Sequence, residues 1–195
     1  MPDKFKNRYR IASTRLRNWD YSSDGAYFLT ICAADCQHYF GMVNNSEMQV
    51  SEIGQYADKC WRAIPEHFPD FYLDEFAIMP NHMHEIVMIE KRYSDKGGFN
   101  AAETGHALSL QRRQTNADEQ TTKPHFRFRN QGKKTISAMV GSFKAAVTKY
   151  CNENKLPFGC QSRFHDHIIR NSGEFCSIRN YIINNPLNWK DDRFY

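Results

Sequence analysis

The chain has 195 residues, of which 41% are hydrophobic and 14% aromatic, and its formal net charge is +4 at pH 7. This composition is sufficient for one packed domain, or one domain with extensions, and it excludes a globally disordered chain. No apolar run reaches the length of a membrane span, and the basic first segment lacks the apolar core of a secretory signal, so we expect a cytoplasmic protein without membrane contact.

Positive charge is concentrated in two segments. Residues 1–20 hold six cations against two acids, and residues 121–152 hold cations, among them Lys144, without any acid. Such clusters neutralise phosphates, although ordinary solvated surface accounts for each one about as well. Aromatic residues lie between the cations in both segments, which favours single-stranded nucleic acid because unpaired bases stack on them. We predict a basic arm over residues 1–25 with these candidate DNA contacts: Lys4, Lys6, Arg8, Arg10, Arg15 and Arg17.

Apolar patterning predicts four strands and three helices. The strands are expected at residues 26–34, 71–79 and 163–170, and in the apolar run after the Pro-Asn turn at 80–81. Helices are expected where apolar residues recur with the 3.6 period, at residues 51–65, 135–155 and 172–186. Ser51 is a candidate N-cap of the first helix, and Pro186 ends the last.

Residues 91–132 are polar and charged without a sustained period, and we interpret them as an insertion loop. The remaining elements follow the order strand–helix–strand–strand–helix–strand with one additional helix. This order predicts an α+β fold with a ferredoxin-like antiparallel sheet (βαββαβ) in a domain covering residues 26–195.

Two histidines lie at the start of the strand in PNHMHEIVMIE, residues 80–90. Because side chains alternate between the faces of a strand, His82 and His84 point to one face and Met83 to the other. Two imidazoles about 7 Å apart along a strand are able to converge on one metal ion. The alternative is that two histidines happen to lie near a strand end.

The last predicted helix carries Tyr181 and Asn185, which are four residues apart and share a face, whereas Phe175, Ile178 and Ile182 can face the core. If the tyrosine face turns toward the histidine strand, Asn185 is able to supply an oxygen to the same metal, with Tyr181 beside it as a nucleophile. A tyrosine on an amphipathic helix is more commonly a packing residue, and this alternative stays open at this point.

Four motifs together resemble the HUH single-strand transposases that use one catalytic tyrosine, and among them the REP-associated tyrosine transposases. The motifs are MPNHMH (79–84), SFKAAVTK (142–149), RFHDHIIR (163–170) and YIINNPLNW (181–189). The resemblance covers nearly the whole chain. It implies Mg²⁺ or Mn²⁺ as cofactor, single-stranded or hairpin DNA as partner, and association with the nucleoid. A homodimer is also plausible, because related enzymes pair and can share sites, and Tyr181 is then able to serve either its own histidines or those of a partner.

The resemblance also assigns roles by position. His82 and His84 match the metal-binding histidines, Asn185 matches the third ligand, and Tyr181 matches the nucleophile. Lys144, Arg163 and His167 lie in the other motifs as candidate DNA contacts, and a structural role for His167 is equally open. Glu85 departs from the family pattern, which has an apolar or small residue there, and we expect it either to be exposed or to perturb the site.

The leading hypothesis is a metal-dependent single-strand DNA endonuclease and strand transferase. It would act on hairpin-forming palindromic repeats through a 5′-phosphotyrosine intermediate. A second hypothesis is a domesticated protein that binds DNA hairpins without cleaving them. A third is a histidine-motif phosphohydrolase acting on nucleotides, but that class uses a third alternating histidine where this chain has Ile86.

Overall fold

The computed structural model describes residues 4–5, 8–9, 19–91, 134–192 and 194. An antiparallel sheet of four strands lies at its centre, in the order β6-β7-β3-β8. Its strands are β3 (Gly25–Cys32), β6 (Phe71–Ile78), β7 (His82–Ile89) and β8 (His165–Ile169). The helices are α1 (Glu52–Arg62), α2 (Ile64–His67), α3 (Ile136–Glu153) and α4 (Ser172–Asn184). The predicted α+β class with a ferredoxin-like sheet is confirmed.

The element ends have local causes. β3 ends at Cys32, shortly before Asp35 and Cys36, whose φ angles are both 52° and therefore lie outside the extended region. α1 begins after Ser51, whose hydroxyl accepts the Gly54 amide at 3.1 Å. α4 ends at Asn184, two residues earlier than predicted, because Pro186 has no amide hydrogen with which to continue the helical hydrogen bonds.

Two strand pairs lie outside the predicted elements: β1 (Lys4–Phe5) with β2 (Arg8–Tyr9), and β4 (Gly41–Asn44) with β5 (Glu47–Val50). The second pair turns through Asn45 and Ser46, whose φ angles are 49° and 64°. Both values are positive, as in the tightest hairpin turns, but the sequence lacks the glycine that usually signals such a turn.

One face of the sheet carries the main core. Tyr27, Leu29, Met83 and Val87 are buried there under α1 and α3. Glu85 lies between Met83 and Val87 on β7, so it points to this face, and it is fully buried. The expectation that Glu85 is exposed or perturbs the histidine site is therefore wrong: the central strand is covered on both faces, and the carboxyl points away from the histidines.

The opposite face of the sheet is covered by α4. Ile182 is buried against Ile86 and Ile169, with Ile178 packed beside them. The helix is also tied to β6, because Arg179 Nε lies 3.2 Å from a carboxylate oxygen of Asp74. These contacts fix which side of α4 faces the histidine end of β7.

Two of the predicted segments cannot be compared with the structure over most of their length. Most of the predicted arm (residues 1–25) and nearly all of the predicted insertion (residues 91–132) lie outside the described residues. Within the described part of the chain, no helix combines the length and the apolar character needed to cross a bilayer.

Candidate active site

His82 and His84 lie on the α4 face of β7, and both imidazoles are buried. Their ring centroids are 4.4 Å apart. His82 Nδ1 lies 2.9 Å from Asn81 Oδ1, an oxygen that only accepts, so Nδ1 carries the proton and Nε2 presents its lone pair. His84 Nδ1 lies 2.9 Å from the Thr30 hydroxyl, which leaves Nε2 facing α4. Each imidazole is thus oriented through Nδ1, as is usual for histidines that bind metals through the other nitrogen.

Tyr181 projects from α4 toward the same two rings. Its hydroxyl lies 3.1 Å from His84 Nε2 and donates to Asp192 Oδ2 at 2.9 Å. The ring packs edge-on against Phe28, with centroids 6.3 Å apart, and 42% of the residue is exposed. The histidines and the tyrosine of one chain therefore meet without a second subunit, and the tyrosine side chain is partly open to solvent.

Asn185 and Asp192 complete the cluster from the end of α4 and the segment that follows it. Asn185 is buried, and its Nδ2 donates to Asp192 Oδ2 at 2.8 Å. Asp192 Oδ1 accepts the Phe194 amide at 2.8 Å, and the Phe194 ring lies 4.7 Å from that of His82. The residues after α4 thus fold back over the histidines and bring a carboxylate into the site.

The electrostatics of the cluster favour ligand chemistry. Burial, together with the neighbouring imidazole of His84, lowers the pKa of His82 from 6.5 to about 3, so the ring is neutral at physiological pH. Burial alone would raise the pKa of Asp192, but the nearby His84 and hydrogen bonds from Asn185, the Phe194 amide and Tyr181 outweigh it and hold this pKa below its usual value, so the carboxylate stays ionised. The neutral imidazole of His82, the imidazole of His84 beside it and a carboxylate anion are a donor set for a divalent cation.

The geometry of the donor atoms fits a metal ion. Candidate ligand atoms of His82, His84 and Asp192 all lie within 4.8 Å of one another. Within the described residues, His82 Nε2 and Asn185 Oδ1 are buried without a hydrogen-bond partner. Buried polar atoms are rarely left unpaired, so two such atoms in one cluster indicate a missing ligand. The site is compatible with a divalent cation held by the two histidines and by Asn185, Asp192 or both.

The predicted DNA contacts lie in different places. Lys144 is on α3, across the sheet from the histidines, and its amine donates to the carbonyls of Gln161 and Arg163 at 2.7 and 2.9 Å. His167 is on the histidine face of β8, where Nε2 lies 2.7 Å from Glu174 Oε1. Arg163 is exposed in the segment before β8. Lys4 and Arg8 lie in the β1–β2 pair, and the remaining predicted contacts are outside the described residues: Lys6, Arg10, Arg15 and Arg17.

Asp192, Thr30, Asn81 and Phe194 were not singled out from the sequence. Thr30 lies opposite His84 in the β3–β7 register, and that pairing cannot be read from either strand alone. Asp192 and Phe194 follow α4 in a segment without regular periodicity, so their spacing from Asn185 gives no information about direction. The only signal was an acidic residue shortly after the predicted last helix.

A search for relatives identifies one protein that decides the family. An uncharacterised protein of Haemophilus influenzae is 37% identical over 184 residues, which cover 94% of this chain and 92% of that protein. The chain belongs to the same family as this H. influenzae protein. The sequence matches no protein-family model.

Among solved structures, this chain resembles a REP-associated tyrosine transposase bound to a REP hairpin. The TM-score is 0.54 at 17% sequence identity, and the match covers 92% of this chain and 74% of the transposase. At this level of identity the likeness shows a shared fold rather than a shared activity.

Proposed function

We propose that this protein is a metal-dependent single-strand DNA endonuclease and strand transferase that acts on hairpin-forming palindromic repeats. The observation that carries the proposal is the position of the Tyr181 hydroxyl. It lies 3.1 Å from a candidate metal-binding nitrogen of His84 and 2.9 Å from an ionised carboxylate. The same cluster holds an imidazole nitrogen and an amide oxygen that have no hydrogen-bond partner among the described residues. A phenol used only for packing has no need of this setting.

Tyr181 is the nucleophile in this proposal. A phenol with its ordinary pKa near 10 reacts poorly at neutral pH, so it has to be oriented and lose its proton during attack. Asp192 accepts the hydrogen bond of the hydroxyl and so orients it. Because the pKa of Asp192 is low, the carboxylate does not retain the phenol proton and releases it to solvent. The Tyr181 Oη–P bond forms as the P–O3′ bond breaks, and O3′ takes a proton from water. The products are a free 3′-hydroxyl and a 5′-phosphotyrosine that keeps the phosphodiester bond energy for rejoining.

His82, His84 and Asn185 or Asp192 would hold the cation, which stabilises negative charge on the phosphate oxygens when it is bound. The resemblance implies Mg²⁺ or Mn²⁺. Two imidazoles with oxygen donors suit Mn²⁺ better than Mg²⁺, which prefers oxygen ligands alone. Mn²⁺ is therefore the cation to supply first in an assay.

The substrate is proposed to be single-stranded DNA next to a hairpin. The transposase of the same fold is bound to a REP hairpin, and a strand has to be unpaired for its backbone to reach the exposed tyrosine. The basic residues of segment 1–20, together with Arg163 and His167, are proposed to contact this DNA. Lys144 is proposed as an indirect contributor, because its amine holds the loop before β8. A homodimer is also proposed, but the candidate site does not require one, because its residues come from one chain.

The decisive experiment incubates the purified protein and Mn²⁺ with labelled hairpin oligonucleotides that carry single-stranded flanks. We expect nicking and a covalent protein–DNA product that survives denaturing electrophoresis. Tyr181→Phe should abolish the covalent product while DNA binding stays within about twofold, because only the hydroxyl is lost. Tyr72→Phe is the matched control, since it makes the same change on β6, away from the cluster. A covalent product with Tyr181→Phe would remove Tyr181 from this role.

The same experiment tests the second hypothesis. A protein that binds hairpins tightly but nicks none of them, across many repeat sequences and with Mn²⁺ present, would be a DNA-hairpin-binding protein without cleavage activity.

A further inference from the structure

A cavity of about 300 Å³ opens directly beside the tyrosine. It lies between β3, β8 and Phe194, and two of its walls are residues of the candidate active site. Its lining includes Phe28, His84, Tyr181, His165, His167 and Phe194. A volume of this size is at the lower end for small-ligand pockets, which span roughly 300–1,000 Å³. The cavity therefore has room for one flat ring system rather than for a large ligand.

The sheet register explains why these side chains meet. Thr30 pairs with His84 on one side and with His165 on the other, so both imidazoles lie on the same face of the sheet, two strand spacings or about 10 Å apart. Phe28 pairs with His167 in the same way. A second His-x-His pair therefore lies on the same face of the sheet as the first, with β3 between them. Phe28 projects from β3 on that face.

The two histidines of β8 differ in what they are able to bind. His167 already has a partner, because its Nε2 lies 2.7 Å from Glu174 Oε1. His165 is exposed, its ring lies 6.4 Å from that of Phe194, and its imidazole forms no hydrogen bond to another described residue. An exposed imidazole offers one donor and one acceptor, or two donors, to a ligand in the cavity.

Aromatic faces with a hydrogen-bonding edge are what an unstacked nucleobase requires. We propose that this cavity takes the base of one of the two nucleotides joined by the scissile phosphate, with Phe28 as its stacking partner and His165 as the side chain that selects it. Only these two bases are close enough, because the nucleophile itself forms one wall of the cavity. The inference rests on the proposed cleavage function and adds a base-selecting subsite to it.

The test combines changes in the protein with changes in the DNA. Single-turnover nicking is measured on a hairpin oligonucleotide and on two versions with an abasic site, one on each side of the cleaved phosphate. With the wild-type protein, one of the two abasic sites should slow nicking about tenfold or more, as expected for loss of one base–aromatic contact. The same abasic site should slow His165→Ala and Phe28→Leu by less than about threefold, because the contact is already lost. His67→Ala, on the exposed end of α2, is the matched control and should behave as the wild type.

The outcomes separate this inference from the function on which it rests. If the wild-type protein nicks DNA but neither abasic site slows it, or if each abasic site slows all variants equally, the base pocket is refuted and the nuclease stands. If no oligonucleotide is nicked, the proposed function fails, and fluorescence anisotropy of the same oligonucleotides with Tyr181→Phe still decides on the pocket. Weaker binding of one abasic version, lost in a His165→Ala background, would support it, and equal binding of all three versions would overturn it. His165 is exposed, so its removal leaves the fold intact.

Discussion

Glu85→Gln tests the most unusual feature of the core. Glu85 is fully buried on the α1 and α3 face of the central strand, and within the described residues neither carboxyl oxygen has a hydrogen-bond partner. Burial raises its pKa well above 4.5, opposed only by the positive charge of Lys144. The folded protein therefore keeps this side chain protonated at pH values where the unfolded chain releases the proton.

The sign and the size of the effect follow from this proton. Between pH 4.5 and the raised pKa, the folded state binds one proton more than the unfolded state, so the free energy of unfolding falls as pH rises. The slope approaches about 1.4 kcal/mol per pH unit wherever the folded state holds this proton and the unfolded state has released it. Glutamine has nearly the same shape and no proton to lose. Glu85→Gln should therefore match the wild type near pH 4.5 and become more stable than the wild type as pH rises.

The assay is urea unfolding followed by tryptophan fluorescence from pH 5 to pH 8, comparing the wild type with Glu85→Gln at each pH. Taking the difference cancels the contributions of all other titrating groups. Glu66→Gln is the control for the substitution itself, because it makes the same change at an exposed position of α2. Parallel stability curves for the wild type and Glu85→Gln would show that the buried carboxyl is not protonated in the folded state, and would refute the reasoning.

Three further predictions concern single hydrogen bonds. Asp192→Asn removes the anion that holds the Tyr181 hydroxyl, so single-turnover nicking should fall about 10- to 100-fold, and an unchanged rate would exclude Asp192 from the reaction. Thr30→Val keeps the shape but leaves His84 Nδ1 without its partner, so Mn²⁺ affinity measured by titration calorimetry should fall about 10- to 100-fold; equal affinity would mean that Thr30 does not orient the ring. Ser51→Ala removes the N-cap of α1 and should lower the free energy of unfolding by about 1–2 kcal/mol in urea, with no effect on Mn²⁺ binding.

The sequence predicted the parts of the fold that depend on local periodicity. The two-residue alternation along β7 places both histidines on one face, and the 3.6-residue period of α4 places Tyr181 and Asn185 on one side. Neither periodicity predicts which face of the sheet α4 covers. The packing of Ile178 and Ile182 against the sheet determines that face. From the sequence, only the resemblance indicated that α4 covers the histidine face.

The remaining site residues are set by contacts between distant parts of the chain. Thr30 reaches His84 through the register of β3 with β7, and Asp192 arrives on a segment without periodicity. Glu85 shows the opposite failure. The alternation of the strand assigns it to the Met83 face, which is the core face, but its charge suggested exposure. The position in the central strand decided the outcome, because both faces of that strand are covered.

Because the two faces of β7 serve different purposes, protein stability and activity can be tested separately on the same strand. His84 and Glu85 are neighbours in sequence, yet one faces α4 and the candidate active site and the other faces the main core. A change at Glu85 should therefore alter the free energy of unfolding without altering Mn²⁺ affinity or nicking at a pH where both proteins are folded. If Glu85→Gln slowed nicking as strongly as Thr30→Val, β7 would have to shift as a unit when its core face is changed. The position of the histidines would then depend on the core packing behind them as well as on their own hydrogen bonds.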